Sequence, residues 1–197
     1  MTLLDYGAGN LSSVEKALVH VGFRVSRARR AAEIVDRGAL IIPGVGHYAA
    51  TGALGGEFRA AVAQHIRRGA PLLGICLGLQ YLFEGSDEAP DVPGLGLLAG
   101  RCFRLGGDVK VPHVGWNTLE TVGDSRLLQG IGRLAVYFTH SYAAPVTGQA
   151  VATTTHGLPF ASVVERANVF GVQWHPEKSG EAGLSVLRNF LEVARSC

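Results

Sequence analysis

Disulfides and zinc are the first things the sequence argues against. It has three cysteines, Cys76, Cys102 and Cys197, an odd number at spacings that suit neither a disulfide framework nor a metal site. Long hydrophobic runs are also missing: none approaches the ~20 residues a membrane helix needs. Nor does charge of one sign accumulate. The formal net charge of +2 gives no reason to expect nucleic acid or a strongly acidic partner. The cluster Arg24, Arg27, Arg29 and Arg30 is the one notable charge run, and a solvated edge is its expected place. No charged n-region with an apolar h-region precedes the first strand-like run, so a reducing cytoplasm is the expected compartment. Linkers, repeats and low-complexity tracts are absent too, so residues 1–197 are read as one domain. What the chain does have is apolar content, 47% against 17% charged, enough for an α/β domain with a full core.

The first half alternates. Residues 2–6 read as a strand, and Leu11, Val14, Leu18 and Val21 recur at helical spacing until Gly22 stops them. Asn10 is one candidate cap for that helix; Ser12 with Glu15 is another. The G-x-G of Gly7 and Gly9 is a weak dinucleotide signal, because Ser12 stands where the third glycine should be. Strands are predicted over 23–25, 39–42 and 72–75, and helices over 57–68 and from Leu77 to about Phe83. The order is read as β-α-β-α-β-α-β-α, with the fourth helix falling between the strands over 23–25 and 39–42, and it implies a parallel sheet with helices on both faces. From Gly85 the pattern changes. Strands are expected over 96–105, 115–121, 135–139, 150–155, 161–165 and 169–173, with a turn near 125–128. This is a mainly antiparallel extension, closed by a helix over 183–194 with Ser179 as a candidate cap.

Two stretches carry chemistry. Gly74-Ile75-Cys76-Leu77-Gly78 follows the apolar strand and matches the nucleophile-elbow pattern G-x-S-x-G, with sulfur for oxygen. Such a turn lifts the sulfur above the sheet edge and sets it at a helix N-terminus, where free N–H groups favour a thiolate. An isolated cysteine would read as a buried structural residue; the flanking glycines decide for a nucleophile. The second stretch is Gln173-Trp174-His175-Pro176-Glu177-Lys178-Ser179. Pro176 pushes His175 toward an extended backbone, in which residues two apart face the same way. His175 can then serve as base and Glu177 as its orienting carboxylate. One histidine and one glutamate leave a metal's other ligands unaccounted for, and no metal or cofactor is expected. Pro43-Gly44-Val45-Gly46 ends the strand over 39–42, at the carboxyl-end edge that also receives Cys76. Its glycines free the backbone to turn N–H groups toward a ligand.

These motifs resemble the class I (triad) glutamine amidotransferases. The elbow and the His-Pro-Glu segment identify only the class. The segments Asp5–Asn10, Pro43–Gly46, Lys110–Asn117, His140-Ser141-Tyr142 and Gln173–Ser179 together are similar to the glutaminase subunit of imidazole glycerol phosphate synthase, from histidine biosynthesis. Departures are small: Trp174 where Phe is commoner, Leu79 where Met is usual, and a longer Gly/Pro-rich stretch around 89–94. The resemblance implies a flavodoxin-like α/β fold, mostly parallel, with an antiparallel extension in the C-terminal half. It implies hydrolysis of L-glutamine by Cys76, His175 and Glu177. The oxyanion donors would be the Leu77 N–H and the Gly44–Val45–Gly46 strand, with Gln80, Ser141 and Tyr142 holding the glutamine. Ammonia would pass to a (β/α)8-barrel cyclase subunit in a heterodimer, with Asn10, Trp116, Asn117 and Lys178 facing that partner. A glutaminase serving another synthase, or a catalytically silent subunit of the same fold, are the competing readings.

Overall fold

A computed structural model describes residues 1–34, 38–132 and 135–196; Cys197 lies outside the described residues. The elements run β1 (Thr2–Leu4), α1 (Leu11–His20), β2 (Ser26–Ala28), β3 (Leu40–Ile42), α2 (Gly56–Arg67), β4 (Leu72–Ile75) and α3 (Leu77–Leu82). There follow β5 (Gly85–Ser86), β6 (Arg101–Arg104), β7 (His113–Thr118), β8 (Glu120–Thr121), β9 (Ala135–His140), β10 (Tyr142–Ala143), β11 (Ala150–His156), β12 (Leu158–Arg166), β13 (Val169–Val172) and α4 (Gly180–Arg195).

The main sheet has eight strands in the order β2-β1-β3-β4-β13-β12-β11-β8. From β2 through β13 neighbours run parallel; β12, β11 and β8 continue it antiparallel. Two small sheets, β10-β6-β5 and β7-β9, complete the C-terminal half. The mostly parallel sheet with an antiparallel extension is the expected architecture. Its apolar strands read as continuous runs because both faces are covered. Leu3, Ile41, Leu73 and Phe170 pack on one face with Val14 and Leu18 of α1 and Leu187 and Phe190 of α4. Leu4, Leu40, Ile42 and Leu72 face the other way, onto Val62 of α2 and Leu79 and Leu82 of α3.

Local differences have local causes. The second strand lies at Ser26–Ala28 rather than 23–25, because Phe23 is drawn into the core beneath α4 and the strand pairs only where it meets Thr2–Leu4. The described residues between β2 and β3 hold a short 3-10 turn, Ala31–Glu33, and no α-helix. Glu33 closes that turn by accepting from the backbone N–H groups of Arg29 and Arg30. The basic cluster is not simply solvated: Arg27 pairs with Glu15, Arg29 with Asp5 at 2.8 Å and Arg30 with Glu33. Asn10 is the cap of α1, accepting from the Ser13 N–H at 3.3 Å. Ser179 precedes α4 without capping it by its side chain; its hydroxyl donates instead to the His175 carbonyl at 2.7 Å. The strand expected over 96–105 shrinks to Arg101–Arg104. Among the described residues, no helix is long and apolar enough to cross a membrane.

Candidate active site

Three adjacent parallel strands, β3, β4 and β13, deliver their carboxyl ends to one edge. The site is assembled there, as expected for an open α/β sheet. From β4 the chain turns at once into α3, and Cys76 sits at the turn with φ 53 and ψ −105. A non-glycine residue at positive φ is held there by its surroundings, at a cost on the order of 1–3 kcal/mol. The flanking glycines have a steric reason. A Cβ on Gly74 would lie 2.6 Å from the Gly78 carbonyl oxygen, and one on Gly78 only 1.8 Å from the Ile42 carbonyl oxygen. The elbow is thus clamped between β3 and its own helix, and the Cys76 N–H donates to the Val172 carbonyl of β13 at 2.8 Å.

His175 and Glu177 follow β13. The His175 Nδ1 and Glu177 Oε1 lie 2.9 Å apart, with the two side chains 1% and 2% exposed. Burial by itself would make the imidazole harder to protonate. Cys76 and Glu177 outweigh it, and the pKa of His175 is raised to about 10. Its other nitrogen, Nε2, has no partner of full hydrogen-bond geometry among the described residues, yet Cys76 is near enough to act on the ring. The arrangement is that of a base, oriented by a carboxylate behind it, turned to a sulfur in front.

A cleft of about 300 Å³ opens beside the sulfur. Gly46, Cys76, Leu77, Gln80, Ser141 and Tyr142 line it, six of the site positions named from the sequence, together with Glu88, which was not named, and His140, which stood only as part of a motif. A larger hollow of about 500 Å³ lies between Ala31–Ile34 and α2, away from the triad, so chemistry rather than size selects the smaller one. Glu88 falls outside every strand, helix and motif read from the sequence. Its carboxylate accepts from the Tyr48 N–H at 2.7 Å, a contact 40 residues away that no local pattern signals.

The loop 43–46 is self-satisfied. The Leu77 N–H, expected as an oxyanion donor, instead donates to the Gly44 carbonyl at 3.4 Å. Gly44 therefore presents an acceptor where a donor was expected, and the expected pair of donors is not assembled in this conformation. Tyr6 packs against this loop: its hydroxyl donates to the Pro43 carbonyl at 2.7 Å, and a Cβ on Gly44 would lie 2.4 Å from that hydroxyl.

A buried polar chain runs from the cleft to β7. The His140 Nδ1 faces the Tyr142 carbonyl at 2.9 Å and so carries the proton. The His140 Nε2 must then accept from the His113 Nδ1 at 3.2 Å, and the His113 Nε2 accepts from the Asn117 amide at 3.3 Å. Asn117 is fixed in this sense because its oxygen accepts from the Thr118 N–H at 2.8 Å. Burial lowers both imidazoles, His113 to about 4 and His140 to about 3, in keeping with two neutral rings.

Of the positions expected to face a partner, Trp116 is 60% exposed and shares its strand face with Val114, 58% exposed. Lys178 is exposed, its ammonium 5.7 Å from the Tyr137 ring, which in turn meets Trp116 edge-on at 6.2 Å. Asn10 is exposed and spends its oxygen on the helix cap. Asn117 is turned inward, its amide shared between His113 and the Thr155 carbonyl. Tyr137 was not singled out from the sequence. Its carbonyl accepts from the His175 N–H at 3.0 Å, which ties the exposed strip to the triad.

Comparison with known proteins agrees with this geometry. The family model described as glutamine amidotransferase class-I matches residues 2–194. The imidazole glycerol phosphate synthase subunit HisH of Deinococcus radiodurans is 48% identical over 195 residues, covering 95% of this chain and 91% of the relative. The imidazole glycerol phosphate synthase hisHF of Arabidopsis thaliana is 45% identical over 97% of this chain, which spans 34% of that longer relative. Among solved structures, PurLQS from Thermotoga maritima superimposes with a TM-score of 0.78 at 21% identity, covering 98% of this chain and 97% of that one, a likeness of fold alone. With the family model matched over nearly its whole length and HisH relatives close to half identical, the chain belongs to the class-I glutamine amidotransferases, in the branch of the imidazole glycerol phosphate synthase subunit HisH.

Proposed function

We propose that residues 1–197 act as one amidotransferase unit that hydrolyses L-glutamine at Cys76 and hands the ammonia to a (β/α)8-barrel cyclase subunit. The observation that carries this reading is the buried His175–Glu177 pair beside the elbow cysteine. The thiolate of Cys76 attacks the side-chain carboxamide carbon. The C–N bond breaks, and the nitrogen leaves as ammonia with the proton held by His175. Water, deprotonated by the same ring, then attacks the glutamyl thioester. The C–S bond breaks, glutamate departs, and the proton returns to sulfur. Gln80, Ser141 and Tyr142 line the cleft where the substrate would sit, and Glu88 offers a carboxylate suited to an α-ammonium group.

The oxyanion needs donors about 2.7–3.1 Å away. Turning the single peptide between Gly44 and Val45 would do two things at once: release the Leu77 N–H and bring the Val45 N–H in place of the Gly44 carbonyl. The free subunit is therefore a poor glutaminase, activated when a partner and its nucleotide substrate favour the turned loop. A relative in which this chain corresponds to about a third of a longer synthase polypeptide supports such a partner, as does the exposed strip Val114, Trp116 and Lys178. The ammonia would react there with an activated ribulosyl-aminoimidazole carboxamide nucleotide, giving imidazole glycerol phosphate and aminoimidazole carboxamide ribotide. The test is steady-state glutamine hydrolysis by the chain alone, with the cyclase, and with cyclase plus nucleotide. The rate should rise at each addition; equal rates in all three would end the switch, and no hydrolysis in any would end the glutaminase reading.

A further inference from the structure

Gln173 is fully buried, 97 residues from Cys76 in the chain, and its side-chain nitrogen lies 3.8 Å from the Cys76 sulfur. The orientation of its amide is not free. The Gln173 oxygen accepts from the Ala144 N–H at 3.2 Å and from the Gln80 amide at 3.4 Å. A backbone N–H can only donate, so the atom facing Ala144 is the oxygen and the NH₂ is the group turned to sulfur. Gln80 is fixed in turn, because its nitrogen donates to the Tyr142 carbonyl at 2.7 Å. The other two triad side chains make a second approach: Glu177 holds His175, and His175 acts on the sulfur. The sulfur thus meets both an imidazole and an amide N–H.

We infer that Gln173 is a positioning residue for the nucleophile, its N–H holding the Cys76 sulfur toward the cleft and stabilising the negative charge the sulfur carries before attack and regains when the thioester breaks. This rests on the glutaminase reading and adds a group to it. The same carboxamide anchors Gln80 through its oxygen, so the nucleophile and one wall of the substrate cleft are set by one side chain. A buried amide that only filled space would need no such alignment; a methionine would fill the volume without desolvating polar atoms.

The test is the pH dependence of Cys76 alkylation by iodoacetamide in the full chain, read on the Cys76 peptide by mass so that the other cysteines do not contribute. Gln173→Met keeps the length and removes the donor; Gln173→Glu keeps the shape and replaces the donor with an acceptor. The midpoint should move upward by about one pH unit in the methionine variant, the size expected for loss of one charge-assisted hydrogen bond, and further in the glutamate variant. A second measurement uses the unaltered chain. The side-chain amide protons of Gln173, followed by NMR, should shift through the same midpoint as the alkylation. Midpoints unchanged in folded variants, or an amide signal that does not respond while the thiol titrates, would overturn the assignment. Failure of the unaltered chain to hydrolyse glutamine with the cyclase would instead remove the glutaminase reading and leave the alkylation comparison standing.

Discussion

The triad and the loop 43–46 meet at the same sulfur but are in different states of readiness. Around Cys76, His175 and Glu177 the groups are buried, hydrogen-bonded and aligned for proton transfer. A few ångströms away the loop has satisfied itself, with the Leu77 N–H on the Gly44 carbonyl and Tyr6 holding Pro43. The difference has a physical origin. All three segments leave interior strands, but past the strand ends the Cys76 N–H is held on the Val172 carbonyl and the His175 N–H on the Tyr137 carbonyl. Loop 43–46 leaves β3 into a cleft and ends at Gly46, which is exposed with φ +101. Nucleophile and base are built in, and oxyanion stabilisation is left to a peptide that one rotation can reverse.

The largest expected effect strikes the built-in half. Cys76→Ala should abolish glutamine-dependent synthesis in the complex while ammonium-driven synthesis by the cyclase persists; surviving glutamine-dependent turnover would mean another nucleophile. Glu177→Gln should lower glutamine hydrolysis by roughly 10²–10⁴-fold, because the imidazole loses its orienting charge. The His175 ring should then titrate nearer its ordinary value of 6.5, followed by NMR of its ring protons. Gly78→Ala would set a Cβ 1.8 Å from the Ile42 carbonyl, a backbone clash no rotamer relieves. A loss of about 2–4 kcal/mol should appear as a drop in melting temperature of roughly 5–15 °C.

On the adjustable half, Tyr6→Phe removes one hydrogen bond that holds the loop closed on itself. Hydrolysis by the free chain should rise about 3- to 10-fold and activation by the cyclase should shrink by the same factor. If Tyr6→Phe only lowers melting temperature, the hydroxyl braces the fold and not the loop. The smallest effect is thermodynamic. His113 and His140 are held below 6.5 by burial, at about 4 and about 3. Between those values and 6.5 the unfolded chain binds more protons at these two rings than the folded one, so their contribution to stability falls as pH drops through that window; above 6.5 it is constant, and His175, raised to about 10, acts in the opposite sense. Urea midpoints between about pH 4.5 and 7.5 should show that slope, and it should weaken in His140→Gln.

Much of the built-in half was legible in the sequence, because its constraints are local. Leu72–Ile75, Gly74 and Gly78 around Cys76, and Pro176 between His175 and Glu177 state their geometry within a few residues. Asn10 as a cap was legible for the same reason. The position of β2 was not, since a three-residue strand is chosen by its pairing with β1 and not by its own pattern. Glu88, Tyr137 and His140 were not marked as site residues either: each enters through contacts that short-range spacing does not encode.

The amino-acid sequence by itself determined the kind of chemistry: a thiol on a tight strand-to-helix turn, a histidine with a carboxylate two residues on, and a parallel α/β frame to carry them. Only the tertiary structure decided which way amides and peptides point. The Gly44 carbonyl lies on the Leu77 N–H, and the Gln173 nitrogen is turned to sulfur, because each polar group buried among distant neighbours must find a partner of the opposite kind. Spacing along a chain specifies which residues can meet; the direction of a hydrogen bond is set by everything else that meets there.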